Sequence, residues 1–434
     1  MFSLPGLTRS LTLLCSITQV FGTPIDTRSD ITDYFSSVES DLKSLTVQTA
    51  PSTIEDAFSK LQSILDGKNL TLVETATQLI SAGLSSLTWD GVVSYIDGLE
   101  SGLASSSNVN SREPSVAVYP SASTGDAPYS FSEDELRSAL YIPGNFTYGV
   151  SGAPQPILLV GGTGNPGYVT FVGTYIKLLQ NEETSFGDPV WLNIPGYELD
   201  DLQKNAEFVA YAINYLSNIC GNRSIAVMGY SQGNLDSQWA YKYWPSTRAH
   251  VTDHVAFSPG YRGTELTQII KWVPQPPAWL QALYDSDFVL ATRANGGDSS
   301  YVPTTVIYSL TDEVVQPQFG DGASSPLKDA HGAGVTNVRV QDACPGQVAG
   351  SFYTHEGIPY NPLAYALARD AVLNDGTGQL SRLDLTSICG NYLAPTLTLE
   401  DFLLTENTAV VAAVLTLLYD GKSTTEPAIA DYAK

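Results

Sequence analysis

Ile225-Ala226-Val227-Met228-Gly229-Tyr230-Ser231-Gln232-Gly233-Asn234-Leu235 is the stretch on which the reading of the fold turns. The apolar run Ile225 to Met228 reads as a short buried strand, and Leu235 to Tyr243 reads as a helix. Between them Gly229 to Gly233 matches G-x-S-x-G. A strand that turns straight into a helix is tight and strained, so it needs glycines beside the serine. Such an elbow lifts the hydroxyl above the sheet and sets it at a helix N-terminus, where a developing anion is favoured. The bland alternative is a structural turn without chemistry.

Outward from this elbow, short apolar runs recur at Ile157–Val160, His254–Phe257, Thr305–Ser309 and Val338–Gln341, with longer helix-like stretches between them. Strands that alternate with helices imply an α/β fold, a mostly parallel sheet with helices on both faces. The elbow makes it the α/β-hydrolase arrangement. A serine nucleophile needs a base, and the base needs an orienting carboxylate, in the chain order Ser, acid, His. The four histidines are His250, His254, His331 and His355. His250 and His254 follow Ser231 too closely, and His331 precedes the last strand. His355 lies in a loop beyond that strand, where this fold presents its base. Asp312, just past the strand Thr305–Ser309, stands in the place of the acid, although an aspartate that caps a loop fits equally. The oxyanion requires two N–H donors. Gln232, the residue after the serine, supplies one. Gly161-Gly162-Thr163-Gly164, after Ile157–Val160, is the candidate for the other, or else a plain glycine turn.

These and further residues resemble the Candida antarctica lipase B family of fungal lipases. The similarity runs from residue 127 to the C-terminus. It is carried by LVGGTG at Leu159–Gly164, Ser231–Gly233 with Gln238-Trp239, FSPGYRGT at Phe257–Thr264, VPTTVIYSLTDEVVQ at Val302–Gln316, and the loop with His355 and Gly357. The resemblance implies a lipase or esterase that needs no cofactor or metal. It implies Ser231, Asp312 and His355 as triad, Thr163 and Gln232 as oxyanion donors, and a disulfide between Cys344 and Cys389. Departures are equally plain. Tyr230 stands where the family has Trp, so the pocket for the alcohol half of the ester should differ. Gly260 replaces an Asp near the site, and the family's two other disulfides have no cysteines here. Val314, Val315 and the apolar stretch Phe402–Leu418 are expected along the acyl pocket. Leu266–Leu283, with Ile269, Ile270, Trp272, Val273, Trp279 and Leu280, is expected as a lid or a lipid-facing rim.

The remaining sequence sets the context. Residues 1–22, with Arg9, an apolar run to Phe21 and Gly22, read as a signal peptide, which implies a secreted, extracellular protein. Tripeptides for N-glycosylation at Asn69, Asn145 and Asn222 agree with that route. Residues 23–103 form a helical region without counterpart in that lipase. Ile31, Phe35, Val38, Leu42 and Leu45 recur at helical spacing, as do Ile54, Phe58, Leu61 and Leu65. Ser52/Glu55 and Thr71/Glu74 suggest capping boxes. A pro-region, a regulatory cap and a plain helical appendage all fit. Residues 104–126, rich in Ser, Asn and Pro, read as a linker to the catalytic domain at 127–434. No segment past the leader reads as a membrane span.

The 434 residues carry a net charge of −24, with 43% hydrophobic and 15% charged residues. That is a globular composition, and its charge repels phosphate backbones, so nucleic acid is excluded as a partner. Cys15 leaves with the leader, and Cys220, Cys344 and Cys389 make one disulfide and one free thiol. No cysteine or histidine cluster has zinc-ligand spacing. The expectation is a monomer that cleaves lipid-like esters through an acyl-enzyme, with a lipid interface as its working surface. A short-chain carboxylesterase or a transacylase is the alternative chemistry, and a non-catalytic secreted binding protein on the same scaffold is the alternative class.

Overall fold

In the computed structural model the described residues are 36–38, 40–85, 91, 95, 98, 102–265, 274–374 and 376–434. The signal peptide, Cys15, Ile31, Phe35, Ile269, Ile270, Trp272 and Val273 lie outside them. Seven strands form one sheet in the order β1-β3-β2-β4-β5-β6-β7. They are β1 (Leu140–Tyr141), β2 (Pro156–Val160), β3 (Asp188–Leu192), β4 (Ile225–Tyr230), β5 (Val251–Phe257), β6 (Thr304–Tyr308) and β7 (Val335–Arg339). All neighbours run parallel except the edge pair β1 and β3. The fold is that of an α/β-hydrolase.

A strand covered on both faces needs apolar side chains at every position rather than at alternate ones. β2 and β4 meet this condition, since every residue in them is buried. Burial of each large aliphatic side chain contributes roughly 1.5–3 kcal/mol, which makes the central strands the fold's anchor. The helices used below are α1 (Ile54–Leu65), α2 (Leu72–Ser81), α3 (Leu202–Ile219), α4 (Gln232–Tyr243), α5 (Pro277–Gln281), α6 (Pro362–Leu373) and α7 (Leu399–Leu418). α3 and α4 cover one sheet face, packing on Leu158, Val160, Val190 and Val227. On the other face Ile157, Leu159, Met228 and Phe257 share a core with α1, α2, α6 and α7.

The N-terminal helices are therefore part of that second core. Phe58 of α1 packs against the rings of Tyr353, Tyr360, Tyr392 and Phe402. Thr71 and Glu74 form the capping box of α2. Ser52 and Glu55 do not cap α1. The cap is Thr53, whose hydroxyl accepts from the Asp56 N–H, because Thr53 is the last residue in extended conformation.

The structure also differs from or adds to the sequence reading at four places. β7 begins at Val335, not Val338, and Val340–Ala343 is already helical. The polar Asn337 hides this strand in the sequence, because its amide exchanges two hydrogen bonds with the Leu327 backbone. β3 contains Asp188 and escaped notice for the same reason: its carboxylate accepts from the Thr147 N–H. Residues 105–126 contain neither helix nor strand, yet they are tied to the catalytic domain. Asn110 donates to the carbonyls of Arg137 and Leu140, and Tyr215 donates to that of Arg112. Finally, α7 is long and apolar enough to cross a membrane, yet it is mostly buried, as a core helix is.

Candidate active site

Ser231 sits between β4 and α4 with φ +51° and ψ −120°, a left-handed conformation for a residue with a side chain. The flanking glycines are required sterically. A Cβ on Gly229 would lie 2.4 Å from Asn234 Oδ1, and one on Gly233 would lie 2.2 Å from the Gly161 carbonyl oxygen. Asn234 braces the elbow from below by donating to the Ser231 and Phe257 carbonyls. Its Oδ1 meets His254 Nε2 at 2.9 Å, and His254 Nδ1 meets the Tyr241 hydroxyl at 2.9 Å. Burial holds His254 down at about 3, so it is a neutral core histidine.

Ser231 Oγ lies 2.7 Å from His355 Nε2, and His355 Nδ1 lies 2.8 Å from Asp312 Oδ2. A carboxylate only accepts, so Nδ1 carries the proton and Nε2 is free to accept from the serine. The other oxygen of Asp312 accepts from the N–H groups of Val314 and Val315 at 2.9 and 2.7 Å. Asp312 thus arrives on the loop after β6, and His355 on the loop that follows β7. His331 is remote, with its Nε2 at the Gly296 carbonyl, and His250 faces Ser217.

Gln232 is the first residue of α4, where no helical carbonyl precedes its N–H. Its side chain is fixed by Thr163, whose hydroxyl donates to Gln232 Oε1 at 2.6 Å, and it donates in turn to the Glu198 carbonyl. The expected oxyanion residues are therefore adjacent. Below them lie two buried acids that the sequence reading missed, Glu198 and Asp236. Burial pushes both well above the carboxylate range, with a further rise at Glu198 from the charge of Asp236 and at Asp236 from that of Asp201.

A cleft opens over Ser231 and His355. Tyr230, Val314, Val315 and Gly260 are among the residues that line it. Ala412 brings α7 to the wall, and Trp279 brings α5, held by a hydrogen bond from Nε1 to Thr416. Leu72, at the start of α2, also lines it, so the N-terminal region reaches the site, which sequence periodicity could not reveal. Cys344 and Cys389 are bonded, and Cys220 is a buried free thiol pushed up to about 12 by burial. Asn69, Asn145 and Asn222 are all exposed.

No family model matches the chain. It is 35% identical over 276 residues to lipase B of Pseudozyma antarctica, covering 62% of this chain and 75% of that protein. The crystal structure of Aspergillus fumigatus lipase B superposes with a TM-score of 0.83 at 39% identity, covering 96% of this chain and 99% of that one. The chain belongs to the lipase B family of fungal lipases. That membership makes it an ester hydrolase of the lipase and esterase class. The likeness to the Aspergillus lipase B takes in more of the chain than residues 127–434 can supply, so the N-terminal helices are largely within the shared fold.

Proposed function

We propose that this member of the lipase B family is a secreted serine hydrolase that cleaves lipid-like carboxylic esters through an acyl-enzyme. One observation carries the reading: the unbroken chain from Ser231 Oγ through His355 to Asp312, at 2.7 and 2.8 Å, beneath a mainly apolar cleft. In this reading Ser231 Oγ attacks the ester carbonyl while His355 Nε2 takes its proton. The developing oxyanion is met by donors of Thr163 and Gln232. The C–O bond to the alcohol breaks as His355 returns the proton to the leaving oxygen. Water then attacks the acyl-serine with His355 as base, and the acid departs as the Ser231 hydroxyl reforms. Asp312 accepts from His355 Nδ1 and holds the tautomer.

Residues 1–22 serve as the leader, and the exposed Asn69, Asn145 and Asn222 are available for glycans. A net charge of −24 suits a protein that must stay dispersed beside a lipid surface. The test is Ser231→Ala. The variant should keep the fold, lose esterase activity and no longer react with a fluorophosphonate probe. Substantial turnover by the purified variant overturns the assignment. Chain-length profiling of p-nitrophenyl esters then separates a lipase from a short-chain esterase.

A further inference from the structure

Three consecutive residues of the histidine loop are each tied to a glutamate carboxyl. Thr354 Oγ1 donates to Glu406 Oε1 at 3.0 Å, and Tyr360 donates to the same oxygen at 2.7 Å. The His355 N–H donates to Glu313 Oε2 at 2.9 Å. Glu356 shares a side-chain hydrogen bond with Glu313. The three acids come from different elements: Glu313 from the loop after β6, Glu356 from the histidine loop, and Glu406 from α7. Glu356 and Glu406 are 4% and 0% exposed. Their Oε2 atoms are buried without a hydrogen-bond partner.

The chemistry follows from this placement. Two carboxyls can share a hydrogen bond only if one carries a proton. Glu313 already accepts from a main-chain N–H, so Glu356 is the protonated donor and Glu313 the acceptor. The groups that face Glu406 are Thr354, Tyr360 and Glu313, with Glu356 and the Tyr230 ring beside it. None of them is a cation, and an ionised carboxylate buried without one is costly. Burial pushes Glu406 up to about 8, and burial and Glu313 push Glu356 well above its usual range.

The geometry points to Glu313, Glu356 and Glu406 as a proton-sharing cluster that positions His355 through its own main chain and through Thr354. It rests on the reading of Ser231 and His355 as the reacting pair. Glu356 borders the cleft, but no hydrogen bond joins any of the three glutamates to Ser231 or to the ring of His355, so they are positioning residues. The cluster holds the loop while it keeps its protons. When Glu406 ionises, Thr354 and Tyr360 still donate to it, but a second negative charge enters beside Glu313, and the repulsion between the two acids strains the Glu313 tether to the His355 N–H. Activity should then fall on the alkaline side at a pH set by Glu406.

Glu406→Gln separates the two roles. Glutamine keeps an oxygen for Thr354 and Tyr360 but cannot ionise. Glu406→Leu removes both. We would measure kcat and KM on a soluble ester, and the rate of fluorophosphonate labelling, from pH 5 to 9.5. In the unmodified protein kcat/KM at pH 9 should be at least ~3-fold below its value at pH 7, as expected for loss of one required proton. In Glu406→Gln that ratio should return to about 1. Glu406→Leu should lower kcat and the labelling rate together by roughly 10-fold, with KM changed less than twofold, as for a group that acts on the transition state. Superimposable pH profiles of the unmodified protein and Glu406→Gln, with both still labelled, would falsify the cluster's role. Failure of the unmodified protein to label at all would instead remove the nucleophile reading beneath it.

Discussion

The ring of Phe58 lies 5.3 Å from that of Tyr353, centroid to centroid and nearly edge-on. Phe58 belongs to the N-terminal helices, and Tyr353 stands two residues before His355. The contact makes α1 part of the packing that shapes the histidine loop. Phe58→Ala would empty a space walled by four rings. The expected loss is about 3–5 kcal/mol of stability, read by chemical denaturation. Deletion of residues 23–103 should be worse, since it bares the same face of α7. A truncated protein as stable as the full chain would show the helices to be a dispensable appendage.

Asp312 is held by three groups at once, the N–H groups of Val314 and Val315 and the ring of His355. Asp312→Asn keeps the shape but offers an N–H where the imidazole needs an acceptor, so the ring can settle in the wrong tautomer. We expect kcat to fall about ten-thousandfold with KM little changed. A loss under tenfold would mean that another acid orients His355.

The nucleophile's half of the site was legible because its signals are local. G-x-S-x-G, the strand before it and the helix after it lie within a dozen residues, and the physics of the elbow is contained there. Asp312 was less secure on position alone, since a loop aspartate has many uses. The resemblance to the lipase family favours Asp312 where position alone does not. The glutamates were not legible at all. In sequence Glu313, Glu356 and Glu406 look like solvated charges, which is what most glutamates are. Glu406 alone left a trace, since it is the one charged residue in the stretch Phe402–Leu418, and a charge on a buried face needs partners. Leu72 joined the cleft for a different reason. Helical periodicity predicts which face of α2 is apolar, but not which surface it meets.

Stability should depend on pH with an unusual sign. Glu406 is raised to about 8, and Glu356, Glu198 and Asp236 are also raised, chiefly by burial. A carboxyl with a raised folded pKa binds its proton more tightly in the native state. The stabilisation is complete below the ordinary Glu value and is lost as pH climbs through the folded one. His254 acts oppositely. Lowered to about 3, it contributes stability above its ordinary value of 6.5 and loses it as pH falls. Four buried acids outweigh this one histidine, so on these groups the maximum shifts down to the ordinary carboxylate range, about pH 4. Tm should decline steadily from there to pH 9. A Tm that rises between pH 6 and 8 would show these acids to be ionised in the native state.

Tyr230 borders both the cleft and the base, its ring 5.0 Å from that of His355. It immediately precedes Ser231, so it lies where the alcohol half of an ester would leave. The lipases it resembles carry the larger Trp at this position, and the smaller ring should admit bulkier secondary alcohols. Tyr230→Trp is expected to fill that space and to select against large alcohols by about 1–3 kcal/mol, roughly 10- to 200-fold in kcat/KM. The backbone leaves little freedom for the new ring to turn away. A Cβ on Gly162 would already lie 2.9 Å from the Tyr230 ring, so the loop presses closely on it. Small primary esters, which do not reach the wall, should be hydrolysed nearly as before. The measurement is kcat/KM for a matched series of esters that share one acyl group and differ in the alcohol. If the ratio of large to small alcohols is the same in both proteins, the ring at position 230 is not the wall that selects the alcohol.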